Sequence, residues 1–339
     1  MPKAARALLP ASSHQDSPFH PGEHVLQERA GVRARLEQVG RKVIRDFMPD
    51  AHRELFAKLP FLFVGSLDAQ RRPWASILVG RSGFATSPDP RTLRVDARAG
   101  YGDPLAANIA AGARVGLLGI ELETRRRNRM NGVIVTANET GFTIRVNQSF
   151  GNCAQYIQAR AHTWVSEPST VTAPRPLRAE NAILSADAAD LVRRVDTFFI
   201  ATMSPIAGGG RGGDDVDVSH RGGKPGFVRV TEDGGRTTLT APDFRGNFHF
   251  ATLGNIAVEP RSGLLFIDFA SGDLLSLTGE AEVVWDGPEV AAFAGAERLM
   301  RFRVTGGMFI ANTVPLRWSQ AVLAPQLAAT GSWNETARG

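Results

Sequence analysis

Gly116-Leu117-Leu118 returns as Gly263-Leu264-Leu265, 147 residues later. Working outward from this pair, Asn108-Ile109 returns as Asn255-Ile256 and Gly132 as Gly279 at the same offset, and Gly83-Phe84 returns as Gly226-Phe227 at an offset of 143. Loops drift faster than so small a slip. Solenoid units repeat every ~20–50 residues, so a spacing this long reads as two copies of one domain. Two like domains in one chain do internally what a homodimer does between chains. They leave a shared cleft where they meet.

The 339 residues allow two such domains, each long enough to bury its own core. A hydrophobic share of 43% with 22% charged residues places the chain among globular proteins. Its one cysteine, Cys153, excludes an internal disulfide and points to the reducing cytoplasm. No stretch approaches the roughly 20 apolar residues of a membrane-spanning helix, and no membrane partner is expected. Residues 1–20 read as a loose arm, with a short apolar patch broken by Pro10. A net charge of +5 suits anionic small molecules wherever arginines converge, and equally suits a solvated Arg-rich surface.

Residues 22–59 carry helical periodicity, one helix over 23–40 and a second over 43–58 interrupted at Met48-Pro49-Asp50. Short strands follow: Phe61-Leu62-Phe63-Val64, then 74–79, 93–97, 114–120, 131–137 and 142–147, with a short helix over 103–111. The second half repeats the order from Phe198-Phe199-Ile200, with a glycine-rich insert at 207–213 and a helix near 247–257. A parallel α/β sheet needs a helix after nearly every strand. The pattern therefore predicts a mainly β chain of two tandem small antiparallel barrels, one per half, with a helical extension. The boundaries fall at 1–59 for the arm and helices, 60–165 for the first barrel, 166–189 for the linker, and 190–339 for the second barrel with its tail.

Three stretches carry chemistry. In Asp217-Val218-Ser219-His220-Arg221-Gly222-Gly223-Lys224-Pro225-Gly226-Phe227, glycines beside an Arg let backbone approach a ligand while the guanidinium holds an anion. The same residues also suit a tight hairpin in which Arg221 pairs with Asp217. The first half has Trp74, Ser76 and Leu78 at the places of Asp217, Ser219 and Arg221, so the two halves do not carry equivalent sites. Asp243-Phe244-Arg245-Gly246-Asn247 before a helix reads as a phosphate seat, or as an ordinary N-cap by Asn247. Its counterpart ends in Asp103-Pro104, an acid where a phosphate would sit. The third stretch runs from Gln148 to Arg160 and on to Trp164, read as a short helix edging a planar ring, or equally as a connector packed on the barrel. The run Arg125-Arg126-Arg127-Asn128-Arg129 lacks interleaved aromatics, so its arginines are assigned to an anionic ligand or to ion pairs, and no nucleic-acid partner is expected. The seven histidines show no metal-ligand spacing, and no metal site is expected.

These residues resemble the pyridoxamine 5'-phosphate oxidase-like family of FMN-binding split β-barrels. A subgroup reads D-V-S-x-R-G-G-x-P-G-F, then R-x-x-N ahead of a T-L-x-N-I helix, then G-L-L-F. The second half matches with Asp217 to Phe227, Arg245 to Asn247, Thr252 to Ile256 and Gly263 to Phe266. The subgroup's R-x-N-G strand and its H-C-x-K segment are matched in the first half, at Arg129-Met130-Asn131-Gly132 and from Asn152-Cys153-Ala154-Gln155 through Arg160 to Trp164. Asn152 replaces the family's His and Gln155 its Lys.

The resemblance covers about 60–290. It implies that the two antiparallel barrels are tandem split β-barrels packed as a pseudo-dimer, with one composite FMN site inside the monomer. Asp217, Ser219, Arg221, Gly226, Phe227, Arg245, Asn247 and Asn255 would come from the second half, and Arg129, Asn131, Gln155, Arg160 and Trp164 from the first. It further implies a flavin-dependent oxidoreductase acting on a small-molecule substrate, with an electron-donating reductase and a second copy of the chain as partners. No catalytic acid or base stands out, which suits hydride or electron transfer. The alternative is a non-catalytic binder or sensor of flavin, deazaflavin or haem.

Overall fold

The computed structural model describes residues 17–205 and 215–333; the glycine-rich insert at 207–213 lies outside them. Three helices lead: α1 (Pro21–Arg29), α2 (Arg33–Val43) and α3 (Asp50–Lys58). The first sheet is built from β1 (Phe61–Leu67), β2 (Pro73–Val79), β3 (Ala85–Thr86), β4 (Thr92–Val95), β5 (Arg114–Glu121), β6 (Arg126–Ala137) and β7 (Phe142–Gly151), with α4 (Leu105–Asn108) between β4 and β5. β8 (His162–Trp164), β9 (Leu177–Glu180) and α5 (Ala186–Arg194) connect the halves. The second sheet contains β10 (Thr197–Ser204), β11 (Asp215–Gly222), β12 (Arg229–Asp233), β13 (Arg236–Phe244), β14 (Arg261–Ile267), β15 (Leu274–Val284) and β16 (Ala296–Ile310). Between them lie α6 (Ala251–Val258) and α7 (Pro288–Ala292), and β17 (Leu316–Trp318) follows.

The fold is mainly β, as the strand pattern predicts. The first sheet runs β2-β1-β5-β6-β7-β4-β3 and the second β11-β10-β14-β15-β16-β13-β12, so one antiparallel order occurs twice. Both sheets are open paths rather than closed barrels.

The period-2 geometry of a strand explains the deciding tripeptide. Leu117 points into the first half's own core and Leu264 into the second's, while Leu118 and Leu265 point into a third apolar layer shared by both halves. β1 and β10 divide likewise: Leu62 and Val64, or Phe198 and Ile200, face their own cores. Phe63 and Phe199 face the shared layer, where their rings stack 3.5 Å apart between centroids.

The repeated glycines lie where this packing is closest. A Cβ on Gly116 would come within 2.6 Å of the Val216 carbonyl oxygen, and one on Gly263 would strike the Pro73 carbonyl. Each half thus presses its edge strand, β11 or β2, onto the other's glycine, the reciprocal contact of a two-fold interface. Gly132 and Gly279 both sit at register shifts, between β6 and β7 and between β15 and β16. Asn108 donates to Ser66 Oγ at 3.0 Å, and Asn255 to Thr202 Oγ1 at 2.9 Å.

Three helix expectations change. The region 23–40 is two helices, because Gly31 adopts a φ of 68° between α1 and α2. The helix expected over 103–111 is the single turn α4. No helix spans 148–160: β7 continues to Gly151, and an irregular segment follows with Tyr156 at a φ of 62°. Residues 17–20, read as part of a loose arm, are docked instead, with Phe19 1% exposed; residues 1–16 lie outside the described ones. Leu26 of α1 enters the core of the second half, while Leu55 and Phe56 of α3 enter that of the first. No helix among the described residues is long and apolar enough to cross a membrane.

Candidate functional site

Edge strand β11 sets Asp217, Ser219 and Arg221 on one face by alternation. β6 of the other half lies across from it, so Arg129 meets Asp217 in a buried ion pair between the halves. Arg221 does not pair with Asp217, as a closed hairpin would require; its Nη1 donates to Asp243 Oδ1 at 2.6 Å. Arg298 approaches the second oxygen of Asp243 at 3.2 Å. Gly222 and Gly223 keep ordinary φ; they are small because Tyr156 O and the Phe227 ring occupy the space of a Cβ.

Arg129, Tyr156, Ser219, Arg221, Gly222, Asp243 and Arg298 line a cavity of about 120 Å³. Its charged lining is Arg127, Arg129, Arg221 and Arg298 against Asp243 alone. Burial, with the neighbouring guanidiniums, pushes Arg129 down to about 9 and Arg127 down to about 10. Burial and three nearby arginines hold His220 well below its ordinary value, and burial beside Arg129 takes His249 to about 4, so both are neutral at pH 7. His220 Nδ1 faces Arg127 Nη1 at 3.3 Å. Accepting there puts the ring proton on Nε2, which is buried without a partner, as are Arg221 Nε and His249 Nδ1.

The start of α6 closes one wall. The helix begins at Ala251, four residues after Asn247, and Asn247 does not cap it; its Oδ1 accepts from His249 N instead. The N-cap is Phe250, at a φ of 61° and with no side-chain cap. The first amides of α6 therefore have no side-chain acceptor, and Thr252 Oγ1 donates to Ser219 Oγ at 2.9 Å.

The first half shows what this arrangement accepts. At the 147-residue offset Phe250 corresponds to Asp103. Asp103 Oδ1 accepts from Leu105 N at the start of α4, 2.9 Å, and from Ser76 Oγ, the counterpart of Ser219, 2.6 Å. A helix start and a serine there close upon a carboxylate built into the chain. The second half keeps the helix start and the serine, replaces the carboxylate by Phe250 and surrounds the space with arginines.

Of the residues predicted for the site, Ser219, Arg221, Asn247, Arg129 and Gln155 line this cavity. Asp217, Asn131 and Asn255 line an adjoining space of about 30 Å³, which His20 and Glu23 of the N-terminal segment also border. The Arg245 carbonyl accepts from Tyr156 Oη at 3.2 Å, and its exposed side chain lies over the Phe248 ring. Gly226 makes the turn after β11 at a φ of 80°. Phe227 is packed in the second core against Phe198 rather than walling the cavity. Arg160 pairs with Asp196 at 2.6 Å, and Trp164 lies under Arg81; neither reaches the cavity. Sequence reading missed His220, His249 and Arg298. His220 stands inside the quoted Asp217–Phe227 stretch, but Arg298 arrives through the pairing of β16 with β13, which no local motif announces.

No protein-family model matches the chain, and no curated protein matches it. Among solved structures, HupZ of Group A Streptococcus matches at 14% identity, with 38% of this chain and 94% of that chain covered and a TM-score of 0.28. A candidate pyridoxamine 5'-phosphate oxidase of Lactobacillus delbrueckii matches at 13% identity, 38% and 95% coverage and a TM-score of 0.29. An FAD-binding protein of Mesorhizobium loti matches at 12% identity, 40% and 98% coverage and a TM-score of 0.24.

Proposed function

We propose that the chain binds the phosphate of FMN in the cavity between its halves and works as a flavin-dependent oxidoreductase on a small substrate. The observation that carries this reading is the contrast between Asp103 and Phe250: one half fills the seat at its helix start with its own carboxylate, and the other leaves it to an external anion. The donors fit a phosphate. Arg127, Arg129 and Arg221 supply the charge, the amides of α6 supply directed N–H groups, and neutral His220 supplies a further donor. The volume fits only part of the cofactor, since whole ligands fill roughly 300–1,000 Å³. The enclosed space suits the phosphate and the chain attached to it. Tyr156, Phe244, Phe248 and Phe250 are the aromatic residues of the lining that would be available to the isoalloxazine.

Flavin, when bound, supplies hydride or single-electron transfer. The chain's own residues bind and orient. The Arg129–Asp217 pair ties the two halves together at the cavity, and Asp243 holds Arg221 in place. The small enclosed volume favours one other reading, a non-catalytic binder that holds a phosphate-bearing ligand without turnover.

The test is titration of the full chain with FMN, followed by flavin fluorescence and absorbance. Saturable binding that inorganic phosphate competes away is expected. Bound flavin should then be reduced by NADH, NADPH or a reductase and reoxidised by an acceptor. Failure to bind FMN rejects the cofactor. Binding without turnover under any of these reductants selects the non-catalytic reading.

A further inference from the structure

A larger cavity, about 610 Å³, lies beside the start of β10, against the turn between β14 and β15 and the segment after β17. It shares no lining residue with the arginine-lined cavity. Its size falls within the ~300–1,000 Å³ typical of small-molecule sites. Leu191, Ile267 and Phe269 give it apolar walls.

Two residues of its lining, Arg160 and Trp318, which also border a smaller space of about 60 Å³, each hold a buried donor with no acceptor. Arg160 is 8% exposed, and its Nη1 is buried without a partner; Trp318 is likewise 8% exposed, and its Nε1 is unpaired. Leaving such groups unsatisfied is unfavourable, because each has given up its hydrogen bonds to water for nothing in return. Both are held rigidly. Arg160 Nη2 donates to Asp196 at 2.6 Å, and its guanidinium lies 4.3 Å from the centroid of Phe269. Trp318 meets the same ring edge-on at 5.1 Å, its backbone N–H donates to Phe269 O, and β17 pairs it with His162.

The lining charges cancel. Arg160 pairs with Asp196, and Arg194 with Asp268 at the rim. Two fixed donors, apolar walls and no net charge select an acceptor that is not itself an ion, because an added carboxylate would bring an uncompensated charge out of water. We propose that this cavity is a second ligand site, for a neutral, apolar-bodied small molecule bearing a carbonyl-type acceptor. The proposal is independent of the flavin reading.

Acetophenone is a suitable probe, with toluene as the same body lacking the acceptor and benzoate as the charged counterpart. The full chain, labelled with ¹⁵N in its tryptophan indoles, is titrated and followed by NMR. The Trp318 N–H signal is assigned as the one missing from Trp318→Phe. Acetophenone should shift that signal saturably, and toluene and benzoate should each bind at least about tenfold more weakly, the loss expected for one hydrogen bond to a rigid donor. By calorimetry, Trp318→Phe and Arg160→Met should each weaken acetophenone about tenfold. If Arg160→Met fails to fold because Asp196 is left unpaired, the double variant Arg160→Met/Asp196→Leu makes the same test. An unmoved Trp318 signal overturns the site. Equal binding of toluene, tighter binding of benzoate, or unchanged affinity in Trp318→Phe overturns the proposed chemistry.

Discussion

Asp103 and Phe250 stand at matching places before the two helix starts, and the contrast between them makes the sharpest test of the anion seat. Phe250→Asp would place in the second half the carboxylate that Asp103 supplies in the first. A left-handed φ of 61° tolerates Asp and Asn better than most side chains. Phe250→Asn removes the same ring without adding charge. Both variants should lose similar stability, but only Phe250→Asp should abolish FMN and phosphate binding. Equal affinities in the two variants, measured by titration, would remove the anion seat from the proposal.

Asp103 itself has a signature in pH. Burial raises it to about 6 in the folded chain from 3.8, against the opposing hydrogen bonds of Ser76 and Leu105 N. Between those values the folded chain keeps a proton that the unfolded chain releases. Its contribution therefore falls as pH rises from about 4 to 6 and stays lost above. Asp103→Asn should remove that slope and be of equal or greater stability at pH 7, by on the order of 2–3 kcal/mol. Urea unfolding of both proteins from pH 4 to 8 measures it.

Elements explain why the repeated residues are repeated. Gly116 in β5 and Gly263 in β14 admit the edge strands β11 and β2 of the opposite halves. An alanine at either place must push backbone aside, because the obstructing atoms are carbonyls rather than flexible side-chain ends. Gly116→Ala and Gly263→Ala should each cost more than the ~1 kcal/mol typical of a point mutation. Gly116→Ala should also weaken FMN binding, since it displaces β11 at Asp217, whereas Gly263→Ala acts on β2, away from the cavity. Thermal unfolding and FMN titration distinguish the two. Equal loss of affinity in both would mean that the cavity responds to the whole interface rather than to β11.

The whole molecule carries an opposing pH dependence. His20, His52 and His249 are each lowered to about 4 from 6.5, in every case chiefly by burial; arginines add to it at His52 and His249, and at His20 a hydrogen bond with Asn255 opposes it. Between those values the unfolded chain takes up protons that the folded chain refuses. Their contribution is complete above pH 6.5 and is lost as pH falls toward 4. With His220, held well below its ordinary value, four such groups outweigh the opposite slope of Asp103, so net stability should decline steadily from pH 6.5 to 4. A flat profile by urea unfolding would mean that these rings are not buried in solution. His20 also accepts from Gly22 N, at the cap of α1. Acid should therefore loosen the N-terminal segment beside the smaller space near the site.

The sequence determined the repeat, the mainly β character and the asymmetry between the halves, because each is written in local patterns. Alternation marks strands, glycine marks close approach, and Trp74 and Leu78 opposite Asp217 and Arg221 mark a difference in charge. It also marked Ser219, Arg221, Asn247, Arg129 and Gln155, which sit in short segments that the fold brings to one cavity. Tertiary structure alone decided the rest. The strand order that carries Arg298 to Asp243 rests on pairing β16 with β13, far apart in the chain. Arg160 and Trp164 follow an irregular segment whose path depends on what packs around it, and that path takes them away from Arg221. Phe227 goes to the core because a buried phenyl ring gains more from apolar neighbours than from a polar cavity. The Arg129–Asp217 pair exists only once the two halves are pressed together, and Arg221 is left to Asp243 of its own half.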